Sequence, residues 1–237
     1  MTPGRDGRAT GVDRAVIHRA PGVSRVLFLR GGDIVEIWVE GADAPSLIGG
    51  VALVTARVAG GAALAGLPSG SGYIRDARPD DGERIIVEVT RDASGAKRSV
   101  LRRRLELAGD GVLLTPFQSE LGISSAIKSK GRRAAIRAAV QPVLPDGVGA
   151  MVLSAVGDRV PEEIACEAAR LAAAWSAMLT VAETAAPPCW LMPPPELEAR
   201  VARHAPGVEI VADRDGALFR EAGGEEGLDL ALAREVT

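Results

Sequence analysis

Aromatic residues are scarce in this chain of 237 residues: three Trp, three Phe and one Tyr. Ala, Val and Leu therefore supply most of the apolar count, and each aromatic is a position to account for. Cysteine and histidine are scarcer still, limited to Cys166, Cys189, His18 and His204. Two cysteines with no histidine near them in sequence provide neither a four-ligand zinc site nor a disulfide scaffold nor a thiol with its own base, so each reads as a small buried apolar residue. Apolar stretches are broken by charge within about a dozen residues, short of the roughly 20 that span a bilayer. The N-terminal segment Met1–Gly11 has no apolar signal core. The expected location is cytoplasmic, with no membrane partner. No P-loop, dinucleotide fingerprint or Ser–His–Asp motif occurs.

What is present is an ordinary soluble composition, 47% hydrophobic and 25% charged, on a length that fits one large domain or two to three small modules. The net charge of −3 hides a strong asymmetry: residues 1–83 sum to −1, residues 84–137 to +7 and residues 138–237 to −9. A basic band between neutral and acidic regions fits one face meeting a polyanion, or else a solvated basic surface.

Ser24–Glu40 reads as a hairpin of two strands about Gly31–Gly32, after a loose start. From Val51 to Leu107, short β-rich runs separated by turn-formers suggest a small closed barrel. Asp92–Gly95 forms a loop tip, and Arg102–Arg104 lie on the strand returning from it. The glycine-rich Gly60–Gly72 lacks the Gly–Lys–Ser ending of a phosphate cradle and reads as a loop between barrel strands. Gly111–Pro116 and Gly149–Ala155 read as strands, Lys128–Val140 as a helix with cations in its first turns, and Pro161–Ala182 as the longest helix. In that helix Ile164, Ala168, Leu171, Trp175 and Met178 share one apolar face. Cys189–Met192 is a short buried strand between proline clusters. A helix (Pro194–His204), a strand (Val208–Ala212) and an acidic tail ending in a further helix close the chain.

This order of segments (Asp33–Glu40, Pro45–Gly50, the barrel strands, Ser94–Gly109, Gly111–Pro116, Gly122–Ile127 and the long helix with Trp175) resembles the N-terminal part of the ribonuclease E/G family. The resemblance implies an α+β fold: a small OB-fold β-barrel inserted into a split RNase H-like α/β domain, with a mixed α/β segment that senses RNA 5′ ends. The implied pieces are residues 1–43 and 189–237 for the RNase H-like domain, 44–103 for the RNA-binding barrel and 104–188 for the sensor-like segment. The family's catalytic DNase I-like domain, with magnesium held by paired aspartates, would begin where Arg234–Thr237 end this chain. The expectation is therefore a truncated homologue without its own catalytic residues or cofactor, magnesium entering only if the chain is itself a nuclease. Asp213 with Asp215, and Asp80 with Asp81, are the nearest approach to a two-carboxylate site, and both read first as exposed loop carboxylates.

The resemblance also points to residues that would hold RNA. Tyr73 matches one of the family's two aromatic stacking positions, while Leu64 occupies the other. Tyr73 reads either as a base platform or as a core tyrosine with its hydroxyl at the surface. Lys97 matches a family lysine that contacts RNA, and Arg98, Arg102 and Arg104 add charge nearby. Alternation would put Arg102 and Arg104 on one strand face and Arg103 on the other. Where the family places an Arg–Thr pair for a 5′-monophosphate, Leu153–Ser154 stand here, so that mode of end recognition is expected to be lost. Ser125 and Ala126 replace arginines of the family, but Lys128, Lys130, Arg132 and Arg133 follow and can meet phosphates without reading sequence.

Three readings remain open. The first is a non-catalytic protein of RNA processing or turnover that binds RNA, single-stranded above all, with no DNA partner. The second is a metal-dependent endoribonuclease, weak or acting in an assembly. The third is an interaction module for RNA-processing or ribosome-associated proteins, docking through the acidic C-terminal third.

Overall fold

The computed structural model describes residues 11–41, 43–225 and 227. In chain order its elements are β1 (Arg14–Ala20), β2 (Val23–Arg30), β3 (Asp33–Gly41), β4 (Val51–Ala59), β5 (Ala62–Gly66), β6 (Ser71–Ile74), β7 (Arg84–Arg91), β8 (Ser99–Arg102), β9 (Leu107–Ala108), β10 (Val112–Thr115), β11 (Leu121–Ile123), α1 (Lys130–Val140), β12 (Gly149–Val152), α2 (Pro161–Thr184), β13 (Cys189–Met192), α3 (Leu197–His204), β14 (Glu209–Asp213) and α4 (Ala217–Glu221). The fold is mixed α+β and divides into two compact units, residues 1–47 with 195–237 and residues 48–194.

The first unit is a four-stranded sheet in the order β14-β1-β2-β3, with β14 parallel to β1 and the other pairs antiparallel. Gly31 and Gly32 take φ of 57° and 96° in the β2–β3 turn, a backbone that side chains resist, and this fixes the expected hairpin. Alternation along β1 and β2 sends Ala15, Ile17, Val26 and Phe28 to a core with α3, and Val16, Leu27 and Leu29 to a second core with Phe219 of α4. Both faces being covered explains the continuous apolar run in β2. Within the start expected to be loose, Arg14–Ala20 form β1, whose alternation is hidden because both sides are buried. The further helix expected at the C-terminal end lies outside the described residues.

The second unit holds a closed five-stranded barrel, β4-β5-β6-β8-β7 with β7 returning to β4, an arrangement compatible with an OB-fold. Ala63 and Ala65 point inward with Ile74, Val87, Val89 and Leu101. Gly60–Gly72, read from sequence as a loop, contains β5. Small alanines gave that stretch no β signal, yet their size suits the inner face. Cys189–Met192 forms β13 as expected, though half-buried rather than buried, and it pairs with the first residues of β4.

Beside the barrel, the sheet β11-β12-β10-β9 packs against α1 and α2 around Leu114, Ile136, Val152, Ile164, Ala168 and Trp175. By length and a mean hydropathy of 1.3, α2 is apolar enough to cross a membrane, although the charge spacing pointed the other way. One side of it is core: Ile164, Ala168, Trp175 and Met178 are buried here. Pro161 with Glu162 and Glu163 starts the helix as expected. At its other end the Arg84 guanidinium donates to the Ala182 and Ala185 carbonyls at 2.7 and 2.8 Å, placing a cation at the negative end of the dipole. The cysteines do not follow expectation: Cys166 is exposed on α2 and Cys189 is half-buried.

Candidate nucleic-acid interface

Tyr73 sits on β6 between Gly72 and Ile74, which are both buried, so strand alternation turns its ring outward, where it is 41% exposed. A Cβ at Gly72 would run into the Leu101 side chain, so only glycine lets β6 lie this close to β8. Of the two sequence readings for Tyr73, the core tyrosine is therefore excluded by its place in the fold. Its register partners on the same face are Leu64 of β5 and Val100 of β8, both half-buried. The row continues to Arg57 opposite Leu64 and to Arg91 opposite Val100. An apolar strip of three side chains centred on the ring thus has an exposed arginine at each end.

Arg57 and Arg91 were not found from sequence. Arg57 lies in a run of apolar residues with no neighbouring cation, and Arg91 reaches this row only because the ladder shifts register between Val89 and Arg91, so that Thr90 is the extra residue. Alternation within β7 alone would have given a different face.

The expected RNA-contacting cations separate into free and committed ones. Lys97 is exposed at the tip of the β7–β8 loop, where its backbone exchanges hydrogen bonds with Ser94 at 2.9 and 3.0 Å, and Arg98 beside it is exposed too. Arg102 is different. Its guanidinium is held by Glu88 at 2.8 Å and Glu106 at 3.2 Å. Burial alone would lower its pKa, but these two carboxylates hold it above the usual arginine value. Arg102 therefore brings no net positive charge to the surface. The face shared by Arg102 and Arg104 does not exist, because β8 ends at Arg102. The chain bends there as the Asp76 carboxylate accepts the Arg103 and Arg104 N–H groups at 2.7 and 2.8 Å. The Arg104 side chain is left exposed, while Arg103 pairs with Glu83 at 3.1 Å.

At the start of α1, Ser129 caps the helix by accepting from the Arg132 N–H, and no acid occupies the first turn. Lys128 and Lys130 are exposed here. Arg132 donates to the Gly157 and Arg159 carbonyls, and Arg133 to those of Ile123 and Ser124 at 3.1 and 2.8 Å. Carbonyls orient these guanidiniums without cancelling their charge. The helix therefore begins with cations at its positive dipole end, an arrangement that costs stability unless an anion offsets it. Leu153 and Ser154 stand directly after β12, the leucine half-buried and the serine exposed, and neither offers a phosphate a positive charge.

The carboxylate pairs do not gather as a magnesium site. Asp213 is buried and accepts the Phe219 N–H at 2.8 Å, and Asp215 accepts the Ala217 N–H at 3.1 Å. The latter bond, with a further one involving Asp213, holds the Asp215 carboxyl below its usual range. Asp213 thus departs from the exposed-loop reading, whereas Asp80 and Asp81 are exposed, Asp81 accepting the Val58 N–H at 2.9 Å. Among the described residues no three His, Cys, Asp or Glu side chains converge. The carboxylates of Asp81, Asp213 and Asp215 are each engaged by a backbone N–H instead.

Residues 106–215 match the model of the ribonuclease E/G family. Ribonuclease E of Nostoc sp. (strain PCC 7120 / SAG 25.82 / UTEX 2576) is 27% identical over 141 residues, covering 58% of this chain and 20% of the relative. The chain thus spans about a fifth of that relative's length. The resemblance read from the sequence motifs is shown over a stretch that starts after the barrel's last strand and runs through β14.

Proposed function

We propose that this chain, which carries a ribonuclease E/G segment, binds single-stranded RNA through the outer face of its barrel and serves RNA processing or turnover. The observation that carries the reading is Tyr73, an outward ring between Leu64 and Val100 on a barrel whose β7–β8 loop exposes Lys97 and Arg98. A base stacked on such a ring contributes about 1–3 kcal/mol, and cations around it track the phosphates. Lys128 and Lys130, with the carbonyl-oriented Arg132 and Arg133, add a second place for phosphate oxygens.

The same reading takes the barrel as an OB-fold, supported by its strand order and by the parallel β6–β8 pair. It takes the sheet β14-β1-β2-β3, with α3 and α4 packed on opposite faces, as a split RNase H-like unit, supported by its assembly from the two ends of the chain.

The test is fluorescence anisotropy of a labelled single-stranded RNA with the whole chain, at low and near-physiological salt, in magnesium or EDTA, followed by a denaturing gel. Salt-sensitive binding to intact RNA, weakened by Tyr73→Ala and Lys97→Ala, is the expected result. Magnesium-dependent cleavage that follows the protein through purification would make it an endoribonuclease instead. No binding at low salt would overturn the RNA reading and leave a protein partner as the target of the acidic C-terminal third.

A further inference from the structure

We infer that a short, extended RNA strand crosses the barrel along the row Arg57–Leu64–Tyr73–Val100–Arg91, its phosphates gripped by the two arginines and one base held on Tyr73. This rests on the RNA reading above and adds the path, its length and the two arginines that would grip the strand. The five residues are consecutive register partners on five successive strands, β4, β5, β6, β8 and β7. Strands lie about 4.8 Å apart, so the row runs roughly 19 Å over the surface, with Tyr73 midway. That length suits about four nucleotides, the small end of the range for barrels of this kind.

The chemistry along the row sets what it accepts. Arg57 and Arg91 are exposed and their side chains make no hydrogen bond or ion pair within the described residues, so both guanidiniums are available to phosphate oxygens, which a guanidinium can take in pairs. The neighbouring outer-face pair, Glu88 with Arg102, is closed on itself by their 2.8 Å ion pair and marks the edge of the track. Between the arginines stand only apolar groups and one ring. Leu64 and Val100 have no donor or acceptor for a base edge, so the row takes unpaired RNA without regard to sequence.

The test uses the whole chain with labelled rU4 and rA4, titrated by anisotropy across a salt series, for wild type, Arg57→Gln, Arg91→Gln and the control Arg170→Gln. Arg170 is exposed on α2, away from the barrel's strands. Each row variant is expected to bind about fivefold more weakly, and its log affinity against log salt to flatten by about 0.7, the loss of one phosphate contact on a single strand. The control keeps the wild-type line, and rU4 and rA4 agree within about threefold. If wild type binds but either row variant keeps the full salt slope, or one tetranucleotide is strongly preferred, this path is wrong while the RNA reading stands. If wild type binds neither tetranucleotide nor longer RNA at low salt, the RNA reading falls and the path with it. Circular dichroism melts matching wild type establish that the exposed substitutions leave the fold intact.

Discussion

The barrel's outer face and helix α1 beside it both carry basic runs of the second unit, and they use their charged side chains in different ways. On the barrel, Arg57, Arg91, Lys97 and Arg98 project to solvent, and Arg102 and Arg103 are held by carboxylates, Arg84 at the foot of β7 being the one that donates to carbonyls. On α1, Arg132, Arg133 and Arg137 donate to backbone carbonyls, while the one buried acid of the neighbouring α2, Glu167, accepts from backbone N–H groups and from Arg159. A carboxylate partner cancels a cation, whereas a carbonyl partner only aims it. The difference teaches that a basic sequence run measures neither surface potential nor structural role until its partners are known. The helices beside the barrel should therefore respond to mutation chiefly in stability, and the barrel face chiefly in binding.

The largest effect is expected at Glu167. One of its oxygens accepts the Gly111 and Val112 N–H groups at 2.8 and 3.1 Å, and the other takes the Arg159 guanidinium at 2.6 Å. Burial alone would raise its pKa, but these donors hold it below the ordinary 4.5. Glu167→Ala leaves two buried N–H groups and a partly buried guanidinium without their acceptor, so a loss of about 2–4 kcal/mol is expected in denaturant melts. The pH dependence has a fixed sign. A depressed folded-state pKa stabilises above the unfolded value, and that stability is lost as pH falls through the folded pKa. Wild type and Glu167→Gln should accordingly differ most above about pH 5 and converge in acid. A gap that stays constant down to pH 2 would mean the carboxylate is not the stabilising species.

Next in size is Tyr73→Ala, which should weaken RNA binding by about 1–3 kcal/mol while moving the melting temperature little. The reverse pattern, a destabilised fold with unchanged binding, would make the ring a structural residue and remove the contrast between barrel and helices. Arg133→Ala is the mirror experiment. Losing donors to the Ile123 and Ser124 carbonyls should cost about 1–2 kcal/mol of stability, read in the same melts, with a small change in RNA affinity.

How much of this was legible in the sequence depended on whether the signal was local. The β2–β3 hairpin, α2 and the strands β10, β12 and β13 were readable because turn glycines, a helical apolar stripe and short apolar runs are local patterns. β1 was hidden by burial of both its faces, and β5 by alanines chosen for a small barrel interior. Among the site residues, Tyr73 and Lys97 came from motif resemblance. Arg57 and Arg91 could not, because their membership of the row comes from cross-strand register and a bulge. Arg102 was overvalued for a related reason: Glu88, its partner, stands on another strand, 14 residues away.

The smallest and most pointed effect compares Arg98→Gln with Arg102→Gln. The two residues lie four positions apart and are equal in any count of charge. Arg98 is free, so its removal should lower RNA affinity by under about 1 kcal/mol and flatten the salt dependence by about 0.7. Arg102 is already neutralised by Glu88 and Glu106, so Arg102→Gln cannot remove a phosphate contact of its own. Its effect must take another route. With Glu88 and Glu106 released, the barrel face gains negative charge, and binding should weaken without the loss of one contact's slope. The melting temperature should fall, because a half-buried Glu88 is left unpaired. Equal slopes for the two variants would show that RNA pulls Arg102 from its carboxylates, and the division between free and committed cations would then describe only the unliganded protein.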